Sequence, residues 1–300
     1  MILPLSVGAL LLTLISVPES KDPAGRKLDL PGQVLAIVGL GALSLAFIEG
    51  PRWGWAWAGT IAALVTATIA AGWFLVRQAN VDGALVPLPM FRNRAFSASL
   101  GVAAAMTFGI YAMLFLLPLY LQSVRGASAL TAGIELLPMS VTFVVVSQLS
   151  GRIANAFGPR VPMTAGMAMI GTGILILAFI AIEDSLVLIE TALLIIGCGL
   201  GLNTAPVNAV VVANAPTARS GIASGLVNTA RMVGATLGVA VLGAVFAVFA
   251  GDGAAPRIVA GLGPAFIGGG LVEMLGAATA FLLVRHDSLR QTATAPASAE

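Results

Sequence analysis

The chain has 300 residues, and its composition excludes a water-soluble globular protein. Hydrophobic residue types make up 58% of it, whereas Asp, Glu, Lys and Arg together make up only 9%. A soluble domain carries roughly 25% charged residues, because most of its surface faces water. The mean hydropathy is +1.00, so most of the outer surface must face lipid. We therefore expect a polytopic integral membrane protein.

The charges and reactive residue types exclude several kinds of site. The net charge is +2, but the basic residues are scattered singly between apolar runs, which disfavours a nucleic-acid partner. The single cysteine, Cys198, excludes an internal disulfide and a CxxC site. The single histidine, His286, leaves no histidine metal cluster. The sequence predicts no metal site and no cofactor.

Nine apolar runs predict membrane-spanning helices. A bilayer core about 30 Å thick needs roughly 20 apolar residues in a helix, and strands would alternate in character where these runs are continuously apolar. In chain order the runs cover about 1–17, 30–48, 56–76, 95–121, 127–150, 161–182, 185–212, 222–250 and 263–284. The predicted fold class is an all-α integral membrane protein with about nine transmembrane helices.

The basic residues of the loops predict the orientation. Eleven lie in alternate loops that share one side, and three lie on the other side. Because loops rich in Lys and Arg stay in the cytoplasm, we expect a multi-pass cell-membrane protein with a cytoplasmic C-terminus and an extracytoplasmic N-terminus. The first run has no preceding basic residues and no cleavage pattern, so we expect a chain truncated at its N-terminal side rather than a signal peptide.

Composition and helix spacing divide the chain into six segments. They are a single helix (1–17), a cytoplasmic loop (18–29), a helix pair (30–77), a cytoplasmic connector (78–94), a six-helix bundle (95–285) and a disordered cytoplasmic tail (286–300).

Five strings carry a family resemblance, in matching order across nearly the whole chain. They are VPESKDPAGRKLDLPG, LVPLPMFRNRAFSASL, LPLYLQSVRGASALTAGIELLP, SGRIANAFGPR and SGIASGLVNTARMVGATLGVAVLG. The chain resembles the C-terminal part of a fourteen-helix drug:proton antiporter of the major facilitator superfamily (EmrB/QacA type). The resemblance implies that 1–17 is the last helix of a truncated N-terminal bundle, 30–77 the linker helix pair and 95–285 the complete C-terminal bundle.

The resemblance also implies a transporter and not an enzyme. The expected activity is efflux of drugs or other small apolar or cationic molecules, in exchange for protons, by alternating access around a midplane site. The implied partners are the lipid bilayer, a small-molecule substrate and protons. The alternative is a non-transporting fragment, or a half-transporter that needs the missing N-terminal half as a separate chain.

Two charged residues lie deep inside apolar runs. Arg231 lies 12 residues from Arg219, and Glu273 lies 12 residues from Arg285, which in a helix is about 18 Å in each case. A charge at mid-depth costs about 2.5 kcal/mol or more. We therefore expect the two to pair or to share a polar network, which would either neutralise the bundle interior or take part in protonation-coupled movement. A purely structural ion pair, or an Arg231 that reaches the inner surface, is the alternative.

Three asparagines are further candidates for the substrate or proton pathway. Asn228 shares a helix face with Arg231, and the resemblance implies that this face looks inward. Asn203 and Asn208 flank Pro206, which frees a backbone carbonyl. Their amides either contact substrate or join helices by hydrogen bonds.

Three other polar residues complete the candidate pathway. Glu135 and Glu190 are expected near the outer surface, where they either take up protons or occupy a water-accessible rim. Tyr111 either lines an apolar drug cavity or packs against neighbouring helices.

The string GRIANAFGPR resembles the gating-loop motif of the superfamily through Gly151, Arg152, Gly158 and Arg160. Asn155 replaces the Asp that is usual there, so a salt-bridge latch is not expected. The favoured interpretation is a tight cytoplasmic turn with lipid-facing arginines.

Overall fold

The computed structural model describes residues 29–81, 86, 88–181, 185–216, 219–251 and 255–284. The predicted first helix at 1–17, the loop that follows it as far as residue 28, and the tail at 286–300 lie outside the described residues. Within the described ranges all regular structure is helical, which confirms the predicted fold class.

Nine α-helices occur in the part of the chain that the structure describes. They are α1 (Leu30–Trp53), α2 (Ala58–Asn80), α3 (Arg94–Ser123), α4 (Ala129–Glu135), α5 (Leu137–Phe157), α6 (Arg160–Leu177), α7 (Leu186–Ala213), α8 (Ser220–Ala250) and α9 (Ala255–Leu283). Since α4 continues almost directly into α5, these helices form eight segments long and apolar enough to span a membrane. The eight segments correspond to the last eight of the nine predicted apolar runs.

Some helix ends differ from the predicted runs. α9 begins at Ala255 rather than at 263, because Pro264 lies inside the helix without ending it; membrane helices tolerate such prolines. α2 continues to Asn80, three residues into the predicted connector. α5 continues beyond the apolar run to Phe157 and ends before Gly158, whose φ of 74° is a left-handed conformation that favours glycine.

Side-chain caps fix where several helices begin. The Asn93 side chain accepts from the backbone amides of Ala95 and Phe96 at the start of α3. Ser128 caps α4 and Ser185 caps α7 in the same way. Each cap satisfies donors that have no partner inside the helix.

α3 is the most deeply buried of the described spans. It packs against α6, α7, α8 and α9, while α5 packs on α7 and α9 packs on α6 and α8. α1 and α2 pack mainly against each other, and α1 also contacts α8. Large apolar side chains remain exposed on α1, α2 and α5, as expected for helices whose outer surface faces lipid.

Glycines bring α8 into backbone contact with α3. A Cβ on Gly234 would collide with the carbonyl group of Ala104, and one on Gly238 would collide with that of Phe108. Small residues at this spacing allow two membrane helices to approach closely. Gly234 and Gly238 therefore fix the position of α8 along α3, and Arg231 lies just before them on the same helix.

Candidate functional site

Arg231 lies where α3, α7 and α8 meet. The Thr107 hydroxyl of α3 donates to the Arg231 backbone carbonyl at 2.7 Å. The Arg231 guanidinium is half-buried and donates through Nη2 to the Thr204 carbonyl of α7 at 3.3 Å. The side chain of Arg231 thus reaches α7, and it lies within electrostatic range of the Tyr111 phenol.

A second polar side chain shares the carbonyl that Arg231 contacts. The Asn208 amide donates to the Thr204 carbonyl at 2.9 Å. Tyr111 is 43% exposed, and Asn228, one turn before Arg231 on α8, is exposed as well. We call Arg231, Thr204, Asn208, Thr107 and Tyr111 the arginine cluster. The sequence suggested some of its members singly but gave no sign that Thr204 joins them.

Glu273 lies at the same level of the bundle but on another side of α3. Its side chain is fully buried between α3, α6 and α9. A Cβ on Gly109 would lie 2.7 Å from Glu273 Oε1 and 2.9 Å from Ile174 Cδ1, and a Cβ on Gly171 would lie 3.2 Å from Glu273 Cβ. Glycine at 109 therefore leaves the space that the carboxyl occupies, which we call the glutamate pocket (Glu273, Gly109, Gly171 and Ile174).

The carboxyl of Glu273 has no hydrogen-bond partner within the described residues. The direct Arg231–Glu273 pair that the sequence suggested is therefore wrong for this structure. The physical reason is the direction of the arginine: Arg231 donates to α7, whereas Glu273 points between α3 and α6. Equal depth in two neighbouring helices does not bring side chains together when their faces point to different neighbours.

Asn203 joins three helices of the bundle core. Its amide nitrogen lies 3.3 Å from Met106 Sδ of α3 and 3.1 Å from Met167 Sδ of α6. The side chain is fully buried, and its Oδ1 lacks a partner among the described residues. Thioether sulfur is a weak acceptor, so this amide is poorly satisfied. In this structure Asn203 makes helix-to-helix contacts, one of the two alternatives that the sequence left open.

The two remaining acidic candidates lie towards the end of the bundle where α3 and α6 end and α7 begins. Glu190 is exposed in the second turn of α7, and Glu135 is half-buried at the end of α4. Among the described residues, Oε2 of Glu135 has no hydrogen-bond partner. The structure brings neither residue to the arginine cluster or to the glutamate pocket.

The gating-motif residues lie at the opposite end of the bundle. Gly151 and Arg152 belong to α5 rather than to a loop, and only Gly158 lies in the turn. The Arg160 guanidinium is placed over the Phe281 ring of α9, with Cζ 4.0 Å from the ring centroid. Arg160 therefore gains a cation–π contact with a ring that is itself 52% exposed, and the lipid-facing orientation of the arginines stays a prediction.

A polar contact at the end of the helix pair was missed from the sequence. The Asp29 carboxylate accepts from Arg77 Nε at 2.8 Å, from Gln78 Nε2 at 2.9 Å and from the Gly32 amide at 3.0 Å. The Gln78 side chain also accepts from the Val86 amide at 2.8 Å. The Arg77 hydrogen bond, helped by the other donors and opposed by burial, lowers the pKa of Asp29 from 3.8 to about 2. We call this set of contacts the Asp29 clamp.

An apolar groove of about 560 Å³ separates the helix pair from α8. Leu40 of α1, Phe74 of α2 and Val233 of α8 contribute to its lining, and almost all of that lining is apolar. Thr229 also borders the groove, two residues before Arg231. Because residues two apart lie on different faces of a helix, the groove and the Arg231 side chain lie on different sides of α8.

The comparisons with known proteins agree with this architecture. Residues 30–239 match the family model of the Major Facilitator Superfamily. The chain is 36% identical over 247 residues to the multidrug resistance protein Stp of Mycobacterium tuberculosis, covering 82% of this chain and 46% of Stp. It is 32% identical over 249 residues to the drug efflux pump JefA of the same species, covering 83% and 49%.

A third relative comes from another genus. The chain is 30% identical over 250 residues to the tetracenomycin C resistance and export protein of Streptomyces glaucescens, covering 83% of this chain and 46% of that protein. The chain thus spans about half the length of these curated relatives. Since the family model covers more than half of a chain whose described part is all-helical with eight candidate spans, this multi-pass membrane protein belongs to the Major Facilitator Superfamily.

Proposed function

We propose that this chain forms the C-terminal part of a fourteen-helix antiporter that expels small apolar or cationic molecules in exchange for protons. The observation that carries the proposal is the arginine cluster: a cation and several polar groups placed halfway along helices that are otherwise apolar. Polar groups are retained at such positions at a cost, and they commonly mark a substrate or ion path. The names of the relatives, which refer to multidrug resistance, efflux and export, support the same activity.

The apolar groove supports the apolar class of substrate. Its lining offers a large contact surface for a ring system or an alkyl chain and almost no polar partner. In this proposal the groove would hold the apolar part of a substrate that entered from the lipid, on the face of α8 that does not carry the arginine cluster. In this proposal Arg231, Asn208, Asn228 and Tyr111 contact substrate, and Asn203 holds α3, α6 and α7 together behind them.

The six helices from α3 to α9, with α4 and α5 counted as one span, would act as one wall of an alternating-access transporter. Because the chain spans about half the length of its relatives, we propose that the transporting unit contains a second bundle besides the described helices. Residues 1–17 would belong to that second bundle, and 30–77 would be the linker pair between the two walls.

A half-transporter that assembles with a separate N-terminal chain is the second candidate, and the same partial coverage of the relatives favours it. In either case the proposed location is the cell membrane, with the Arg160 end of the bundle in the cytoplasm. A cysteine placed at Arg152 should then react with a membrane-impermeant maleimide only in opened cells, and one placed at Glu190 should react in intact cells.

Drug accumulation tests the proposal. A strain without its own major efflux pumps would express this chain alone or this chain together with a complementary N-terminal bundle, and a control strain would carry an empty vector. The ethidium content of the cells would then be measured. Lower ethidium with both chains present supports efflux, and Arg231→Ala should abolish the decrease while Arg52→Ala, at an exposed ion pair, should not. Unchanged accumulation of ethidium and of a panel of apolar antibiotics in every combination would overturn the proposal.

A further inference from the structure

Glu273 differs from every other acidic side chain in the described part of the chain. The other acids there are Asp29, Glu49, Glu135 and Glu190. Asp29 is buried but accepts three hydrogen bonds, Glu49 accepts from Arg52, and Glu190 is exposed. Glu135 has one oxygen, Oε2, without a partner among the described residues, but its side chain is only half-buried. Glu273 is fully buried, and neither of its oxygens has a partner there.

The helices that pack against α9 bring no cation to the Glu273 carboxyl. The titratable side chains on α3, α6, α8 and α9 itself are Arg94, Tyr111, Tyr120, Arg160, Arg231 and Arg257. Arg231 donates to α7 and Arg160 lies over Phe281. Arg257 precedes Glu273 by 16 residues of the same helix, which is about 24 Å.

The other three groups on that list belong to α3 and lie away from the glutamate pocket. Arg94 precedes Gly109 by 15 residues and Tyr120 follows it by 11, which is about 22 Å and about 16 Å along the helix. The Tyr111 side chain is 43% exposed, whereas Glu273 is not exposed at all. The pocket therefore contains one ionisable group with no neighbouring charge to balance it.

An ionised carboxylate cannot be held in such a pocket at acceptable cost. Burial without a donor or a counter-charge disfavours the charged form far more than the neutral acid. We infer that Glu273 binds a proton while α3, α6 and α9 are packed together, and that it releases this proton when α9 moves away and water enters the pocket.

The release step is a simple proton transfer. The O–H bond of the Glu273 carboxylic acid breaks, the proton passes to a water molecule, and the carboxylate remains in a pocket that is now hydrated. When α9 packs again, the carboxylate must first take a proton back from water. Closure of the pocket and uptake of one proton are therefore linked.

The walls of the glutamate pocket bring the backbones of three helices close together. A Cβ on Gly171 would lie 3.1 Å from the Gly270 carbonyl oxygen and 3.1 Å from Met274 Cε, so the backbones of α6 and α9 approach closely with the Met274 side chain beside them. Gly269 faces Gly109 of α3, with its added Cβ 3.6 Å from the Gly109 Cα and 3.1 Å from Leu242 Cδ1 of α8. These close contacts keep the Glu273 carboxyl away from solvent for as long as α3, α6 and α9 are packed together.

This inference deepens the proposed function, because a role of Glu273 in drug–proton exchange rests on that function. The proton on Glu273 can nevertheless be detected without measuring transport. The experiment is infrared spectroscopy of the full chain in lipid nanodiscs at neutral pH, which records the carbonyl stretch of protonated carboxylic acids. The wild type should show this band, Glu273→Gln should lose it, and Glu190→Gln, at an exposed acid, should keep it.

Two outcomes would overturn the protonation of Glu273. One is the absence of the band from the wild type at neutral pH, and the other is a band of equal intensity in Glu273→Gln. Should Glu273→Gln fail to fold by circular dichroism, the double variant Glu135→Gln/Glu190→Gln takes its place. That variant must retain the band if Glu273 carries the proton.

A transport measurement separates this inference from the proposed function. In vesicles that contain the chain and its complementary bundle, drug-driven proton movement should be abolished by Glu273→Gln. If no variant and no wild type exchanges drug for protons, the proposed function fails while the infrared result still decides the protonation. If the wild type exchanges and Glu273→Gln does so equally, the role of Glu273 in coupling is overturned.

Discussion

Arg231 and Glu273 lie at the same level of the bundle, on different sides of α3, and their surroundings differ in two respects. Arg231 is half-buried and donates to a backbone carbonyl that a neighbouring amide also contacts. Glu273 is sealed from solvent and has no partner among the described residues. A guanidinium keeps its charge and needs acceptors, whereas a carboxyl can become neutral by binding a proton. This difference fits the positions of the two residues, with the cation Arg231 on the half-buried side of α3 and the acid Glu273 on its fully buried side.

The largest change in stability is expected when a methyl group is added to the helix contacts on either side of α3. The Arg231 side and the Glu273 side should respond differently. Gly234→Ala would place a Cβ against the Ala104 carbonyl, and backbone cannot yield there, so the unfolding free energy should fall by about 1–3 kcal/mol. The nearest atoms to the Cβ of Gly109→Ala would belong to the side chains of Glu273 and Ile174 rather than to a backbone, so this variant should cost less. Unfolding in mixed detergent micelles measures both.

Gly243→Ala is the matched control for this pair. Gly243 lies on the same helix as Gly234, but no atom lies within 4 Å of its added Cβ. It should be neutral or raise stability by up to about 1 kcal/mol, since alanine favours helix over glycine. A loss in Gly243→Ala equal to that in Gly234→Ala would contradict close packing as the cause.

Replacing the two ionisable side chains, Arg231 and Glu273, by methionine should change stability with opposite signs. Glu273→Met keeps the length of the side chain and replaces an unpartnered carboxyl by an apolar group, so the unfolding free energy should rise by about 1 kcal/mol. Arg231→Met deletes a hydrogen bond from a charged donor and should lower it by about 1–2 kcal/mol. The same micelle assay applies, and equal signs for both variants would show that the two environments do not differ as described.

The Asp29 clamp sharpens the comparison with a second buried acid, one that accepts several hydrogen bonds. Its folded pKa of about 2 lies below the ordinary value of 3.8. The carboxylate therefore contributes stability above about pH 4, and this contribution is lost as the pH falls towards 2. Asp29→Asn should remove that acid-sensitive step and speed hydrogen exchange at the start of α1.

Glu49→Gln, which alters the exposed ion pair with Arg52, serves as the control for the clamp. Exposed pairs contribute little, so the acid transition and the exchange rates of α1 should stay unchanged. An Asp29→Asn variant with the acid transition of the wild type would exclude the clamp as its origin.

The smallest effect is expected at the Arg160 end of the bundle. Phe281→Leu keeps an apolar side chain but removes the ring below the guanidinium, so stability should fall by about 0.5–1 kcal/mol. Phe179→Leu, at another exposed phenylalanine, should have no such effect. Identical losses in both variants would mean that the ring contact with Arg160 contributes nothing.

The sequence predicts those features that depend on interactions within one helix, and it predicts contacts between helices much less well. The eight described spans follow from runs of apolar residues, because a helix in lipid satisfies its backbone hydrogen bonds within its own segment. The rarity of charge in those runs also singled out Arg231 and Glu273 before any contact was known. Helix ends were less predictable, since α5 continues past its apolar run until Gly158 takes a positive φ.

The sequence alone therefore determined that lipid surrounds the helices, that the fold is all-helical, and which residues are unusually costly to bury. Only the tertiary structure decided that Arg231 turns to Thr204, that Glu273 is enclosed without a partner, and that Asp29 meets Arg77 from 48 positions away. The reason is rotational: a span fixes the depth of a side chain through its rise per residue, but the packing of helices around α3 fixes which neighbour that side chain faces.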